Sequence, residues 1–473
     1  MKEKKQFFVL VLGFVLLVVP SIAFSEDRLL LEHVLESTHQ HYPKIQEQYQ
    51  KLRKAQAKLL KSQGSFDPKL SLQGRNTAGY YDNRFLNLEL EQSTPFLGLS
   101  VLGGWRVSDG EFPVYEGMYE TTQSGEVYGG IKLPLLRDGV IDQERTDIEV
   151  SKLELKQAET MLLMKKLEFS YQAAYYYWKW FSDGQKYKIY QKLLEIAQVR
   201  QQGIQSKIAS GSSPEIDSLD NEQFIANRQA LVVEAEEKFI DSSLKLSLFY
   251  RDSQGEPVIP SLYLLPDLPW VSQLFTQEQH DENLLESSLS FLQNHPLLQV
   301  QSLEIEQAEK RLRLAKNQIL PKLDLSVKLA KDLNDGANTK INTEEFKTEL
   351  ALKVPLFNRK ARGERQIADS ELQQKKIQYK FLFEKLENNL KNALQKKQRS
   401  MKRLHLTERQ WSLAKKIEDA ERTKFNLGYS DLLSLNLREE YTAKARINYL
   451  EALFNYQVSL AEYRLSMATA QSN

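Results

Sequence analysis

The chain has 473 residues, 27% of them charged, with 64 Lys and Arg against 63 Asp and Glu for a formal net charge of +1. That balance offers no electrostatic reason to expect nucleic acid as a partner, and the absence of cysteine excludes disulfides, thiol nucleophiles and thiolate metal sites. The length alone suggests two or three domains unless repetition stretches a single architecture.

Lys2, Lys4 and Lys5 precede an apolar run from Phe7 to Val19, then Pro20 and Ala23-Phe24-Ser25. Small residues at −3 and −1 make this a secretory signal peptide, residues 1–25, cleaved near Ser25/Glu26. The run is shorter than the roughly 20 apolar residues of a membrane anchor. No later stretch reaches 18 uninterrupted apolar residues, so no transmembrane helix is expected in the mature chain.

From Asp27 the apolar residues Leu30, Val34 and Leu35 recur at helical spacing, break at Tyr42-Pro43, and resume at Ile45, Tyr49, Leu52, Ala55 and Leu59. After Gly64 an extended segment opens at Pro68. The same layout returns from Ser290: His295-Pro296 matches Tyr42-Pro43, Ala308 matches Ala55 and Pro321 matches Pro68, all at an offset of 253. Further on, Pro134 matches Pro355 at 221 and Gly211 matches Gly428 at 217, so the first copy holds 32 extra residues between its prolines. The chain therefore divides into a first repeat (26–251), a linker rich in proline (252–288) and a second repeat (289–473), with strands predicted within 68–134 and 321–356.

The extended segments alternate with period two. Leu323, Leu325, Val327 and Leu329 alternate with Lys322, Asp324, Ser326 and Lys328; Phe346, Leu350 and Leu352 alternate with Lys347, Glu349 and Lys353; Leu86, Leu88 and Leu90 alternate with Asn87, Glu89 and Glu91. Asn334 to Asn338 reads as a turn between the second-copy strands. Aromatic residues of the first copy, among them Tyr80, Tyr81, Trp105, Tyr115, Tyr119 and Tyr128, suit membrane interfaces. A sheet packed on helices and a transmembrane barrel both produce this alternation.

The segments 139–209 and 360–426 have helical composition without proline and at 1.5 Å per residue each would span roughly 100 Å. On the return limb Ala443, Ile447, Leu450, Phe454, Val458, Ala461 and Leu465 form one apolar stripe, and Ala226, Ala230, Val233, Ile240, Leu244 and Leu248 occupy the equivalent face of the first copy. Asp183-Gly184 is read as a tolerated interior glycine, and the aromatic run from Tyr175 to Phe181 as packing. Gly211-Ser212-Ser213-Pro214 and Gly428-Tyr429-Ser430-Asp431 stop and restart these helices, forming the tips of two hairpins. Glu215, Asp217 and Asp220 follow the first tip; Asp431, Glu439 and Glu440 follow the second. Near a helix start such acids favour the macrodipole; converging on an axis, they would ring a cation-attracting mouth. His39 and His41 point to different helix faces, and no catalytic, metal or cofactor motif is present.

Taken in order and twice over, His41-Tyr42-Pro43 and Asn294-His295-Pro296, the strand starts at Pro68 and Pro321, the junction from Leu133 to Gly139 and the two glycine-led tips resemble the TolC-type outer-membrane efflux family. The resemblance implies a mainly α chain with transmembrane β: a homotrimeric β-barrel in outer-membrane lipid, continued by a long periplasmic α-helical barrel. It implies an equatorial belt from the linker, passive export and no enzymatic activity or cofactor. Its implied partners are further copies of the chain, a periplasmic adaptor protein and an inner-membrane transporter of RND, ABC or MFS type, in an efflux pump or a type I secretion system. Adaptor docking maps to Gly211, Ser212, Ser213, Gly428, Tyr429 and Ser430. The periplasmic gate maps to Asp217, Asp220, Asp431 and Ser434, with the family's second-copy acids replaced by Ser434 and Leu437. Ending at Asn473, the chain is expected to lack a long C-terminal equatorial extension. Four strands per protomer would give twelve in a trimer, and the additional hairpin around Leu97 to Gly103 could enlarge the barrel, extend outside it or plug it. The competing class is a periplasmic coiled-coil structural or adaptor protein.

Overall fold

The computed structural model describes residues 28–113, 121–267, 292, 294–333 and 344–468. The signal peptide, Tyr115, Tyr119, the linker beyond 267 and the turn at 334–338 lie outside them. Short helices α1 (Leu31–His41) and α2 (Pro43–Gln63) lead to strands β1 (Lys69–Thr77), β2 (Asn83–Ser93), β3 (Ser100–Gly110) and β4 (Glu126–Pro134), then to α3 (Gln143–Ala209) and α4 (Glu215–Ser247). The order then recurs: α5 (Pro296–Asn317), β5 (Lys322–Asp332), β6 (Glu345–Lys353), α6 (Arg359–Asn426) and α7 (Leu432–Ser466).

Local chemistry explains the helix starts. Pro43 and Pro296 begin α2 and α5, where a missing N–H costs nothing and the fixed φ is already helical. His295 caps α5 by accepting the Leu297 N–H through Nδ1 at 3.2 Å. Burial lowers its pKa to about 4, which keeps the ring neutral and Nδ1 an acceptor. Asp142 caps α3, accepting the Arg145 N–H at 2.7 Å and the Arg145 side chain at 2.8 Å. With no proline to interrupt them, α3 and α6 then run for 67 and 68 residues. No helix among the described residues is both long and apolar enough to cross a membrane.

The helices form one wall. α3 packs against α4 and α7 along its C-terminal part and against α2 and α5 nearer the strands; α6 packs against α5 and then α7. At the waist, Tyr177, Trp178, Trp180 and Phe181 of α3 are buried among Val34 of α1, Phe239 and Leu246 of α4, Leu265, and Leu450 and Leu453 of α7. The aromatic run is packing, and truncating one such ring to alanine costs about 3–5 kcal/mol. Gly184 sits there because a Cβ would come within 2.9 Å of the Leu265 side chain. The chain after α4 closes over this site, with the Gln185 amide donating to the Pro266 carbonyl at 2.7 Å.

Periodicity misassigned one face. Ala443, Leu450, Val458 and Ala461 of α7 are buried, but on α4 the stripe Val233, Ile240, Leu244 and Leu248 is exposed, Val233 by 64%. α4 instead packs through Asn221, Arg228, Ala235, Phe239, Ser242, Ser243 and Leu246. α7 lies between α3 and α6 and is covered on both flanks, whereas α4 lies at the edge of the wall and is covered on one. α6, at the other edge, likewise exposes Ile377, Phe381, Leu406 and Leu413.

The six strands form one antiparallel sheet in the order β1-β2-β3-β4-β5-β6. β2 and β3 correspond to the additional residues of the first repeat. β2 pairs with β1 over Asn83–Glu91 and with β3 over its whole length, and β3 pairs with β4 over Ser100–Arg106, so the extra hairpin lies inside the sheet and widens it.

Candidate functional site: the hairpin tips and the sheet face

The two tips are built alike. In the first, the Ser212 N–H donates to the Lys207 carbonyl at 2.8 Å and the Gly211 N–H to Ile208 at 2.9 Å, with Gly211 at φ +75°. In the second, Tyr429 donates to Lys424 at 2.9 Å and Gly428 to Phe425 at 3.1 Å, with Gly428 at φ +80°. This six-to-one bond needs a left-handed residue, which glycine supplies without a Cβ clash. Gly211, Ser212, Gly428 and Tyr429 are exposed, Ser213 and Ser430 less so.

The restarts differ. Asp431 caps α7, accepting from the Ser434 N–H at 2.6 Å and its hydroxyl at 3.0 Å. The α4 start has no side-chain cap; there the Ser213 hydroxyl donates to the Asp217 carboxylate at 2.8 Å. Side-chain capping of the restarting helix therefore occurs at the second tip and not at the first. Asp217 and Asp220 point to the surface beside the first tip, Asp217 half-buried and Asp220 exposed.

The Ser434 backbone N–H holds the Asp431 carboxyl below the ordinary carboxylate range. A depressed carboxyl contributes stability that is complete above its unfolded pKa and is lost as pH falls through the folded one. Protection of the Ser434 amide, its exchange rate relative to the intrinsic rate at each pH, should accordingly fall as acid protonates Asp431, and Asp431→Asn should remove that acid dependence while keeping the cap. Hydrogen exchange across an acidic pH series measures both.

Behind the tips lies a buried polar cluster. Glu439 of α7, 1% exposed, accepts from Arg200 of α3, from Arg228 of α4 at 3.2 Å and from Arg422 of α6 at 3.3 Å. Asn436, wholly buried, accepts from Arg200 and, at 3.4 Å, from Arg228, whose other nitrogen donates to the Leu193 carbonyl at 2.9 Å. Glu439 is thus no mouth carboxylate. It joins the α3–α4 hairpin to the α6–α7 hairpin, roughly 12 Å along α7 from its start. Any separation of these two hairpins has to break it.

At the opposite end, the ladder register puts Leu70, Leu72, Leu86, Leu88, Leu90, Trp105, Val127, Ile131, Val327, Leu350 and Leu352 on one face of the sheet. Among the described residues no helix covers that face: Leu70 is 70% exposed, Leu352 64% and Leu350 63%. A sheet packed on helices would bury it. The other face is polar, with Tyr128 donating to Asn87 and Glu89 and Arg106 paired with Glu126. The chain thus combines an apolar sheet face open at its surface, a polar reverse face and a shaft of helices ending in paired tips.

Residues 289–470 match the family model for outer membrane efflux proteins. Over most of its length the chain is similar in fold to solved outer-membrane channels. It aligns with the MtrE outer membrane channel of Neisseria gonorrhoeae at TM-score 0.68 and 13% identity, over 93% of this chain and 89% of that one. It aligns with the outer membrane protein VceC of Vibrio cholerae at TM-score 0.63 and 13% identity, over 93% and 97%. The CmeC outer membrane channel of Campylobacter jejuni gives 0.62 and 12%, over 94% and 87%. Compared by sequence with curated proteins, the chain matches none.

Proposed function

We propose that the protein is an outer-membrane exit duct, a homotrimer that lets cargo pass from a periplasmic shaft through a β-barrel, serving a tripartite efflux pump or a type I secretion system. The observation that carries this is the uncovered apolar face of a sheet whose reverse is polar, since lipid outside and water inside call for that division. The exposed apolar stripes on α4 and α6, at the two edges of one helical wall, fit neighbouring copies in a closed tube.

In this reading an adaptor docks on Gly211, Ser212, Ser213, Gly428, Tyr429 and Ser430, and an inner-membrane transporter supplies the energy. Asp217 and Asp220, repeated in each copy, line the periplasmic mouth near Asp431 and Ser434. Native mass measurement after mild-detergent extraction of outer membranes should give three copies; a soluble periplasmic monomer would sink the proposal. Asp217→Asn with Asp220→Asn should lower cation selectivity in single-channel recordings. Unchanged selectivity would reduce both to helix-terminus charges.

A further inference from the structure

Among the described residues, β1 and β6 each pair with one strand only, β2 and β5 respectively, and all nine residues of both are exposed. An open edge in hydrocarbon finds no water for its N–H and C=O groups, so it must be closed by another strand. Six is an even number, so β1 and β6 run in opposite directions, and β1 of an identical copy meets β6 in antiparallel sense. We propose that a second copy of this chain occupies each edge, that Arg75 of one copy lies opposite Glu349 of the next, and that three copies close an 18-stranded barrel. The inference rests on the trimeric duct reading and adds its strand number and mating register.

Face continuity restricts the register to steps of two, because Leu70 and Leu72 must stay on the side of Phe346, Leu350 and Leu352. Three such registers keep most of both strands paired; they place Arg75 opposite Glu345, Lys347 or Glu349. The Lys347 register also sets Lys69 against Lys353, making two like-charge pairs, which are destabilising directly across a ladder. The Glu349 register makes none: Ser71 meets Lys353, Gln73 meets Ala351 and Thr77 meets Lys347, while Leu72 meets Leu352 on the apolar face.

Barrel geometry gives an independent criterion. Across one copy, Lys69 lies opposite Glu91, Glu91 opposite Leu102, Leu102 opposite Gly130, Gly130 opposite Lys328 and Lys328 opposite Lys347. In the Glu349 register Lys347 then meets Thr77 of the next copy, a displacement of eight residues along β1 from Lys69. Three copies accumulate a shear of 24, which with a rise of about 3.3 Å per residue and about 4.8 Å between strands tilts the strands by about 42°. Membrane barrels tilt by roughly 35–45°. The Glu345 register gives about 25° by the same relation and falls outside that range. The Glu349 register alone satisfies both the charges and the tilt. The resulting barrel is roughly 37 Å across between strand axes, half again as wide as twelve strands at the same tilt.

Because the chain has no cysteine, R75C with E349C tests the contact on a clean background. Within one copy these positions lie on opposite edges of the sheet, about 24 Å apart across five strand spacings, so a disulfide forms between copies or not at all. Oxidised outer membranes should yield a covalent trimer on a denaturing gel, reversed by reductant, with far less product from R75C with K347C. A trimeric native mass without that cross-link, or stronger cross-linking through K347C, overturns the edge assignment while leaving the duct reading standing. A monomeric native mass overturns both. Should the cysteine pair fail to insert, charge exchange decides: R75E should restore the trimer that E349R weakens, and no restoration overturns the register.

Discussion

Val327→Arg should abolish recovery of assembled protein from outer membranes, whereas Ser326→Arg, one residue away, should leave it assembled. Val327 is the central residue of β5 and lies opposite Ile131 and Thr348 on the apolar face, while Ser326 lies opposite Lys132 and Glu349 on the polar one. An arginine facing lipid near the bilayer midplane costs about 2–4 kcal/mol. In a trimer the cost is incurred three times, roughly 6–12 kcal/mol, comparable to the whole stability of a typical folded domain. On the polar face arginine reaches water and the Glu349 carboxylate. The ratio of detergent-extracted trimer between the two variants measures the difference. Equal recovery would mean that the apolar face does not meet lipid.

Glu439→Ala should be among the most damaging changes in the shaft, equal to the loss of a buried waist aromatic. It leaves Arg200 and Arg228, whose side chains are 12% and 5% exposed, facing each other without their shared carboxylate. Breaking a buried ion pair by removing one partner costs about 3–5 kcal/mol, mostly as the penalty of a charge left uncompensated. Arg422→Ala should cost far less, because that side chain is 40% exposed and also pairs with Glu418 within α6. Loss of helical signal on heating compares the two. A small Glu439 effect beside a large Arg422 effect would reverse the assigned hierarchy.

The features legible in the sequence were those encoded locally. Proline at a helix start, glycine where φ is positive and period-two alternation each act over a few residues, so the repeat, the tips and the strand faces could be read directly. What escaped depended on distant partners. Glu439 resembles any acid in the first turns of a helix, and its burial follows from Arg200 and Arg228, which stand 239 and 211 residues away. The stripe from Val233 to Leu248 marks an apolar face, but periodicity does not say whether its own chain or another covers it. The additional hairpin was legible in the 32 extra residues between Pro68 and Pro134, around Leu97 to Gly103; its place inside the sheet depended on pairing with β1 and β4. At the first tip the acids were visible; the N-cap position falls on Pro214, whose side chain has no acceptor, and the Ser213 hydroxyl donates to the Asp217 carboxylate instead of standing at the cap.

The central claim is that the sheet stands in lipid with its apolar face outward. Single cysteines introduced one at a time along β2, from Leu86 to Glu91, and labelled in native membranes test it most directly. The account predicts that a lipid-phase reagent labels positions 86, 88 and 90, while a water-soluble reagent labels 87, 89 and 91. Reaction of all six positions with the water-soluble reagent, and of none with the lipid-phase one, would contradict it.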